Sequence, residues 1–313
     1  MDNLNNNNDF DVIIIGAGVA GFTAAIYASR ERHRTLILER GKTGGLASTT
    51  HWMENYPGFP SGISGRDLTD LFRAQAEKFG AEIREFIDVK SLEKLSNGKI
   101  SVHTTEEELN APVVIIATGS LPRRLGIPGE MEFYGRGVSY CATCDGAFFR
   151  DLDVAIVGCG NSGLQEGQVL LELCKTVTFI EYFESIPGER ILFERIDKAE
   201  NSRFLPNHKV LRIEGEQFLE RVIAENRATN KEIEIPVAGV FIYAGYKPNS
   251  DFVKDFVTLD ERGYIITDDA MQTSIEGVFA AGDVRKKLIQ QVTVATSDGT
   301  IAAIHAGKYL RNS

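Results

Sequence analysis

The apolar positions of this chain cluster in short β-type runs, and two of these runs lead straight into glycine-rich turns. The first covers 10–15 and is followed by Gly16-Ala17-Gly18-Val19-Ala20-Gly21. A helical pattern then occupies 22–30, and a second apolar run over 35–38 ends at Glu39. Strand, glycine turn, helix and strand in that order predict a β-α-β nucleotide-binding unit. Gly16 serves the tight turn, Gly18 lets the backbone approach a pyrophosphate, and Gly21 lets helix and strand pack closely. The free N–H groups at the helix start suit phosphate, and Glu39 stands where an acid would accept a ribose hydroxyl.

The same layout returns later. An apolar run over 154–157 leads into Gly158-Cys159-Gly160-Asn161-Ser162-Gly163, then a helical pattern over 164–174 and a run over 177–180 ending at Glu181. Glu181 follows Gly158 at the same offset as Glu39 follows Gly16. One glycine pattern is weak evidence, whereas two complete units with matched spacing are strong. Between them the pattern predicts a helix over 67–79 and strands over 83–89, 100–104 and 113–117, the last running into Thr118-Gly119. After the second unit, 209–214 and 218–225 suggest a meander, and an apolar strand over 237–243 ends near Gly245. A short strand within 273–283 closes on Gly282-Asp283, and a final helix is expected over 292–310. The fold class is α/β, with two Rossmann-like nucleotide-binding folds.

Between the two units lies Cys141-Ala142-Thr143-Cys144, followed by Asp145. Two thiols at this spacing can close into a disulfide or open to a dithiol, a two-electron switch. A zinc site is the competing reading of four cysteines. Cys159 and Cys174 form no second pair of that spacing, and the five histidines are scattered, so no metal ligands are assigned. Cys174 reads as core, the acidic stretch 105–108 as a solvated turn, and Trp52 as a packed aromatic.

The 313 residues suit two domains, and 43% hydrophobic content supports substantial cores. A net charge of −10 argues against nucleic acid or an anionic membrane as partner, and no apolar run reaches membrane-spanning length. Residues 1–8 are polar and Asn-rich, unlike an export signal, and are expected to form a loose tail. A cytoplasmic location follows as an expectation, and there a Cys-x-x-Cys pair is more often catalytic than a structural staple.

Taken together these motifs resemble the low-molecular-weight thioredoxin reductases, a flavoprotein family. The resemblance runs from Asp11 to Leu310 and rests on five segments: the Gly16–Gly21 loop, Glu54-Asn55-Tyr56-Pro57-Gly58, Ala117-Thr118-Gly119, the Cys141–Gly146 segment, and 277–283 continuing to Gln291-Val292. It implies three-layer ββα domains with the second inserted into the first: an FAD domain of 1–119 and 247–313, and a nucleotide-type domain of 120–246 that carries the dithiol. It further implies that Gly16, Gly18 and Gly21 cradle the FAD pyrophosphate and that Glu39 binds the adenosine ribose. Gly44, Gly45 and Asn55 would line the flavin channel, with Ala117, Thr118 and Gly119 among the cofactor residues. Asp283 would hold the ribityl chain, with Gln291 and Val292 beside the isoalloxazine. Cys144 would take electrons from the flavin, Cys141 would attack the disulfide of thioredoxin, and Asp145 would serve as acid-base group. The family also implies a homodimer and an inserted domain that rotates between flavin and partner.

The chain departs from the family at one place. Members that use NADPH grip its 2′-phosphate with a basic cluster after the second strand of the inserted domain. Here the sequence is Glu181-Tyr182-Phe183-Glu184, and a carboxylate there repels a phosphate. NADPH therefore fits poorly. NADH could bind Glu181 through its 2′-hydroxyl, with Gly158, Gly160 and Gly163 as a second nucleotide site. Alternatively this loop is a relic and electrons come from reduced ferredoxin or a deazaflavin. A weak NADPH contact through Arg190 is the third option. A flavin-bound redox sensor or interaction protein and a flavin-dependent disulfide-forming oxidase are the alternative functions.

Overall fold

Every side chain of Val12–Ile15, Val113–Ile116 and Val278–Ala280 is buried, as are all but the last of Thr35–Glu39. Strands with no exposed face belong in a parallel sheet covered on both sides. They form one, in the order Val278–Ala280, Val113–Ile116, Val12–Ile15, Thr35–Glu39, Glu82–Glu85. The register sets Ile14 beside both Ile37 and Ile115. Alternate residues serve opposite faces. Ile13, Ile15, Leu36 and Leu38 pack with Leu92, Ile100 and Val102 of an antiparallel sheet formed by Val89–Lys94, Ile100–Thr104 and Glu108–Ala111. Val12, Ile14 and Ile37 pack with Phe22 and Ala25 of the helix Val19–Arg30 and Ala302 of the helix Val292–Asn312. The two helices approach closely because Gly299 carries no Cβ, which would strike the backbone of Ala20 and Ala24.

The structure is a computed structural model that describes residues 9–312; the expected tail over 1–8 lies outside the described residues. The chain divides into two compact units. One comprises the residues through Ser48, then Met53–Leu121, and those from Lys247 onward; the other comprises Thr49–Trp52 and Pro122–Tyr246. The second unit repeats the plan of the first. Its parallel sheet runs Ser202–Leu205, Thr176–Ile180, Asp153–Val157, Gly239–Ile242, Val138–Ser139, and its antiparallel sheet runs His208–Gly215, Leu219–Asn226, Lys231–Pro236. Ala155, Val157 and Ile180 face Val210, Val222 and Ile235 of the antiparallel sheet, while Val154, Ile156 and Phe179 face Leu164 and Leu170 of the helix Asn161–Leu173. Each unit is thus a three-layer ββα fold.

Some elements differ from expectation. Both loop helices start three residues early, at Val19 and Asn161, with Gly18 and Gly160 as their caps. Gly21 and Gly163 therefore lie in the first helical turn. The strand expected over 83–89 is two strands in two sheets. Phe86 adopts a left-handed backbone (φ 64°), which ends Glu82–Glu85 and redirects the chain into Val89–Lys94. The acidic stretch over 105–108 is more than a solvated turn. Glu107 pairs with Arg84 at 2.6 Å, and Glu108 opens a strand.

Candidate active site

In the first unit the expected cofactor residues gather at the C-terminal ends of the parallel strands, where ligands bind in open α/β sheets. Gly16 has φ 106°, and a Cβ there would be driven into the carbonyl of Ala117. A Cβ on Gly21 would meet the carbonyl oxygen of Gly16. Gly18 and Gly45 face each other backbone to backbone, and a Cβ on Gly45 would stand 3.2 Å from the Gly18 Cα. The helix after Gly18 has no side-chain cap, so its first N–H groups keep their capacity for an anion. Glu39 closes the turn: one carboxylate oxygen accepts the Ala17 N–H at 2.8 Å, the other the Gly41 N–H at 3.0 Å. Gly44 N–H donates to the Ala17 carbonyl at 2.8 Å. The bare glycine backbone and uncapped helix fit a dinucleotide pyrophosphate.

The remaining expected residues of the first unit make bonds among themselves and with their neighbours. The Thr118 hydroxyl donates to the Asn249 carbonyl at 2.7 Å, and Asn249 N–H returns a bond to Gly119 at 3.0 Å. Asn55 reaches Gln291 at 3.3 Å, immediately before Val292 opens the last helix. Asp283 lies in the turn Gly282–Val284 and pairs with Lys287 at 2.8 Å. Lys287 is itself buried and contacts Asp298 at 3.3 Å, while Asp298 also accepts from Arg285 and from the Gly282 N–H. Lys287 and Asp298 were not legible in the sequence, because a lysine and an aspartate 11 positions apart carry no motif.

In the second unit Cys141 and Cys144 are joined in a disulfide, with Cα atoms 5.3 Å apart. Cys141 caps the short helix Ala142–Asp145, and its sulfur accepts the Cys144 N–H at 3.1 Å. Each backbone N–H from Cys141 to Asp145 has an acceptor. Ser139 accepts the Cys141 N–H at 3.1 Å and donates to the Asp145 carboxylate at 2.6 Å. Ala142 N–H donates to the Tyr243 hydroxyl at 2.8 Å. Thr143 N–H donates to the Glu166 carboxylate at 3.0 Å, and the Thr143 and Tyr243 hydroxyls add bonds of 3.1 and 3.4 Å. Burial pushes the Glu166 carboxyl above its ordinary range, against the lowering effect of the Thr143 and Tyr243 bonds. Ser139, Glu166 and Tyr243 escaped the sequence reading. The available signal was Glu166 itself, a charged residue in line with the buried Gly163 and Gly167 of its helix.

The second glycine loop copies the first. Glu181 accepts the Cys159 N–H at 2.6 Å and the Phe183 N–H at 3.0 Å, as Glu39 does with Ala17 and Gly41. Gly158 has φ 99°, and Gly163 backs onto the Gly158 carbonyl. Two differences stand out. Glu181 is only 3% exposed, and the carboxylate of Glu189 is held at the helix start by Asn161. Asn161 donates to Glu189 Oε1 at 2.7 Å and accepts the Glu189 N–H at 2.8 Å. This sets a negative charge beside the first residue of a helix that, like the one after Gly18, has no side-chain cap. Arg190, almost fully exposed, pairs with Glu194 at 2.7 Å, and Arg227 stacks on Tyr182 with its guanidinium 3.8 Å from the ring centroid. Cys159 and Cys174 are buried free thiols; burial raises both, Cys174 to about 11. Among the described residues no group of three His, Cys, Asp or Glu side chains could hold a metal, and no helix is long and apolar enough to cross a membrane.

The sequence profile described as pyridine nucleotide-disulphide oxidoreductase matches residues 10–299. A thioredoxin reductase from Listeria innocua is 43% identical over 310 residues, covering 96% of this chain and 94% of its own length. The crystal structure of Lactococcus lactis thioredoxin reductase is similar, with 39% identity, a TM-score of 0.94, and coverage of 97% of this chain and 100% of that one. A ferredoxin-flavin thioredoxin reductase from Clostridium acetobutylicum shares 26% identity with a TM-score of 0.53, covering 97% of this chain and 99% of that one.

Proposed function

Given that this chain belongs to the pyridine nucleotide-disulphide oxidoreductase family, in its low-molecular-weight thioredoxin reductase class, we propose that it passes two electrons from FAD through Cys141 and Cys144 to thioredoxin or a thioredoxin-like protein, with a donor other than NADPH. The observation that carries the reading is the Cys141–Cys144 disulfide, set in a segment whose backbone N–H groups from Cys141 to Asp145 are all engaged. The first unit would hold FAD through Gly16, Gly18, Gly21, Glu39, Gly44 and Gly45, with Asp283 on its ribityl chain. Bound FAD supplies a two-electron carrier.

Cys144 accepts the electron pair, the S–S bond breaks, and Cys141 is released as a thiolate. The Cys141 thiolate attacks one sulfur of the thioredoxin disulfide, forming a mixed disulfide and expelling the other partner sulfur as a thiolate. Cys144 then attacks Cys141 Sγ, which frees reduced thioredoxin and restores the internal disulfide. Asp145, oriented by Ser139, passes the proton that the departing thiolate takes up. The cycle requires the second unit to present one dithiol to flavin and partner in turn. We further propose a homodimer acting in the cytoplasm.

The second loop disfavours NADPH. A buried Glu181 and the Asn161–Glu189 clamp supply carboxylates where an NADPH-binding loop needs cations. Reduced ferredoxin or a reduced deazaflavin fits this loop better than NADPH, and NADH remains the nucleotide it tolerates best. The name of the Clostridium acetobutylicum relative is consistent with the first of these. Anaerobic titration of the FAD-loaded protein with NADPH, NADH, reduced ferredoxin and reduced deazaflavin tests it. Flavin bleaching by one of the last three and not by NADPH is expected; rapid bleaching by NADPH would overturn the donor assignment.

A further inference from the structure

Two of the three backbone N–H groups that follow Cys141 are taken by side chains of other elements. Ala142 N–H goes to the hydroxyl of Tyr243, just past the strand Gly239–Ile242, and Thr143 N–H goes to Glu166 on the helix Asn161–Leu173. The third, on Cys144, is left to the sulfur of Cys141 at 3.1 Å. The start of a helix favours a thiolate because such N–H groups point at it. Here most of that capacity is diverted inward. Glu166 is buried, is linked to Tyr243 through the Tyr243 hydroxyl, and receives both the backbone and the hydroxyl of Thr143. Nothing in the proposed exchange chemistry uses it.

We propose that Glu166, with Tyr243, is a positioning pair that sets the disulfide–dithiol equilibrium of Cys141 and Cys144. The pair pins Ala142 and Thr143, directs a single N–H onto Cys141 Sγ, and keeps a carboxylate beneath the segment. Both effects favour the disulfide over a dithiol bearing a thiolate. A thiolate formed on opening the bond would set a second negative charge beside the Glu166 carboxylate, which is disfavoured. The dithiol therefore stays a strong reductant towards a protein disulfide. The inference rests on the proposed reading that this pair exchanges with such a disulfide.

The test equilibrates the FAD-loaded protein with buffers of reduced and oxidised dithiothreitol at pH 8. Thiols are trapped by alkylation and counted by mass. One dithiothreitol is oxidised for each Cys141–Cys144 bond opened, so the ratio gives the equilibrium constant directly. Glu166→Gln keeps shape and an acceptor oxygen but removes the charge. It is expected to shift the equilibrium about tenfold towards the dithiol, equivalent to about 30 mV for a two-electron couple. Tyr243→Phe, which frees the Ala142 N–H, is expected to shift it in the same direction by a smaller factor. Flavin content and circular dichroism identify any variant that fails to fold, and the other variant then decides. Equilibria within twofold of the parent in the folded variants would overturn the proposal, because a purely structural contact would lower stability without moving the constant. The readout needs neither thioredoxin nor the donor that feeds the flavin, so its failure is separate from failure of the reductase reading.

Discussion

Gly21 and Gly163 occupy the same place in the two loops, each backed by the carbonyl of the first glycine of its loop. Their substitution should nonetheless read out differently. Gly21→Ala forces the turn that would carry the pyrophosphate, so we expect purified protein with FAD affinity reduced at least about tenfold, measured by flavin absorbance per chain. Gly163→Ala should cost about 1–3 kcal/mol of stability while flavin stays bound; loss of flavin there instead would argue against a first-unit site. The buried ammonium of Lys287 poses a different problem, since it neutralises both Asp283 and Asp298. Lys287→Met leaves Asp283 without its ammonium and Asp298 with Arg285 alone, and is expected to cost about 3 kcal/mol, read as a lower urea midpoint. The glycines were legible in the sequence because their role is a backbone geometry with a fixed local spacing. Lys287 and Glu166 were not, because their roles depend on partners that only the fold brings near.

The elements that could be read best were those whose strands are buried on both faces, since an unbroken apolar run leaves few alternatives. Later elements of the second unit were harder. The third strand of the second meander, Lys231–Pro236, alternates charged and apolar residues with one buried position, and the helix Arg190–Asp197 buries only Leu192 and Ile196. Such elements are periodic but short and bury few positions, so they offer no apolar run to read and are held by their neighbours. Pairing between strands also makes a pH prediction. Asp153 and Thr176 face each other in register, and the Thr176 hydroxyl bonds the Asp153 carboxylate at 2.6 Å. That bond, aided by Lys175, holds the Asp153 carboxyl below its ordinary value. A depressed carboxyl contributes stability above its unfolded pKa and loses it as pH falls through the folded value. Thr176→Val should therefore cost about 1 kcal/mol at pH 7 and less near pH 3. Urea midpoints of parent and variant across that range check it; an equal gap at both pH values would contradict the assignment.

At the scale of the whole molecule, one ββα plan is used twice, and the two copies have been given different tasks. Both keep the strand, the glycine turn and the acid that locks it, with Glu39 and Glu181 making matching bonds. The first leaves its glycine cradle and helix start bare, while the second buries its acid and sets Glu189 at its helix start. The dithiol lies in the second copy, on a segment that shares Glu166 and Tyr243 with that fold. Duplication was visible in sequence spacing. The divergence between the copies was not visible there, because Glu39 and Glu181 share offset and charge and differ in burial, and the Asn161–Glu189 clamp depends on a loop folding back. The central claim is that electrons leave through this dithiol. It is tested by reducing the FAD-loaded protein anaerobically and adding oxidised thioredoxin, for the parent chain and for Cys144→Ser. We expect flavin reoxidation matched by two thiols per thioredoxin in the parent, and a flavin that stays reduced in the variant. Thioredoxin reduction that persists in Cys144→Ser, or none in the parent, would contradict the account.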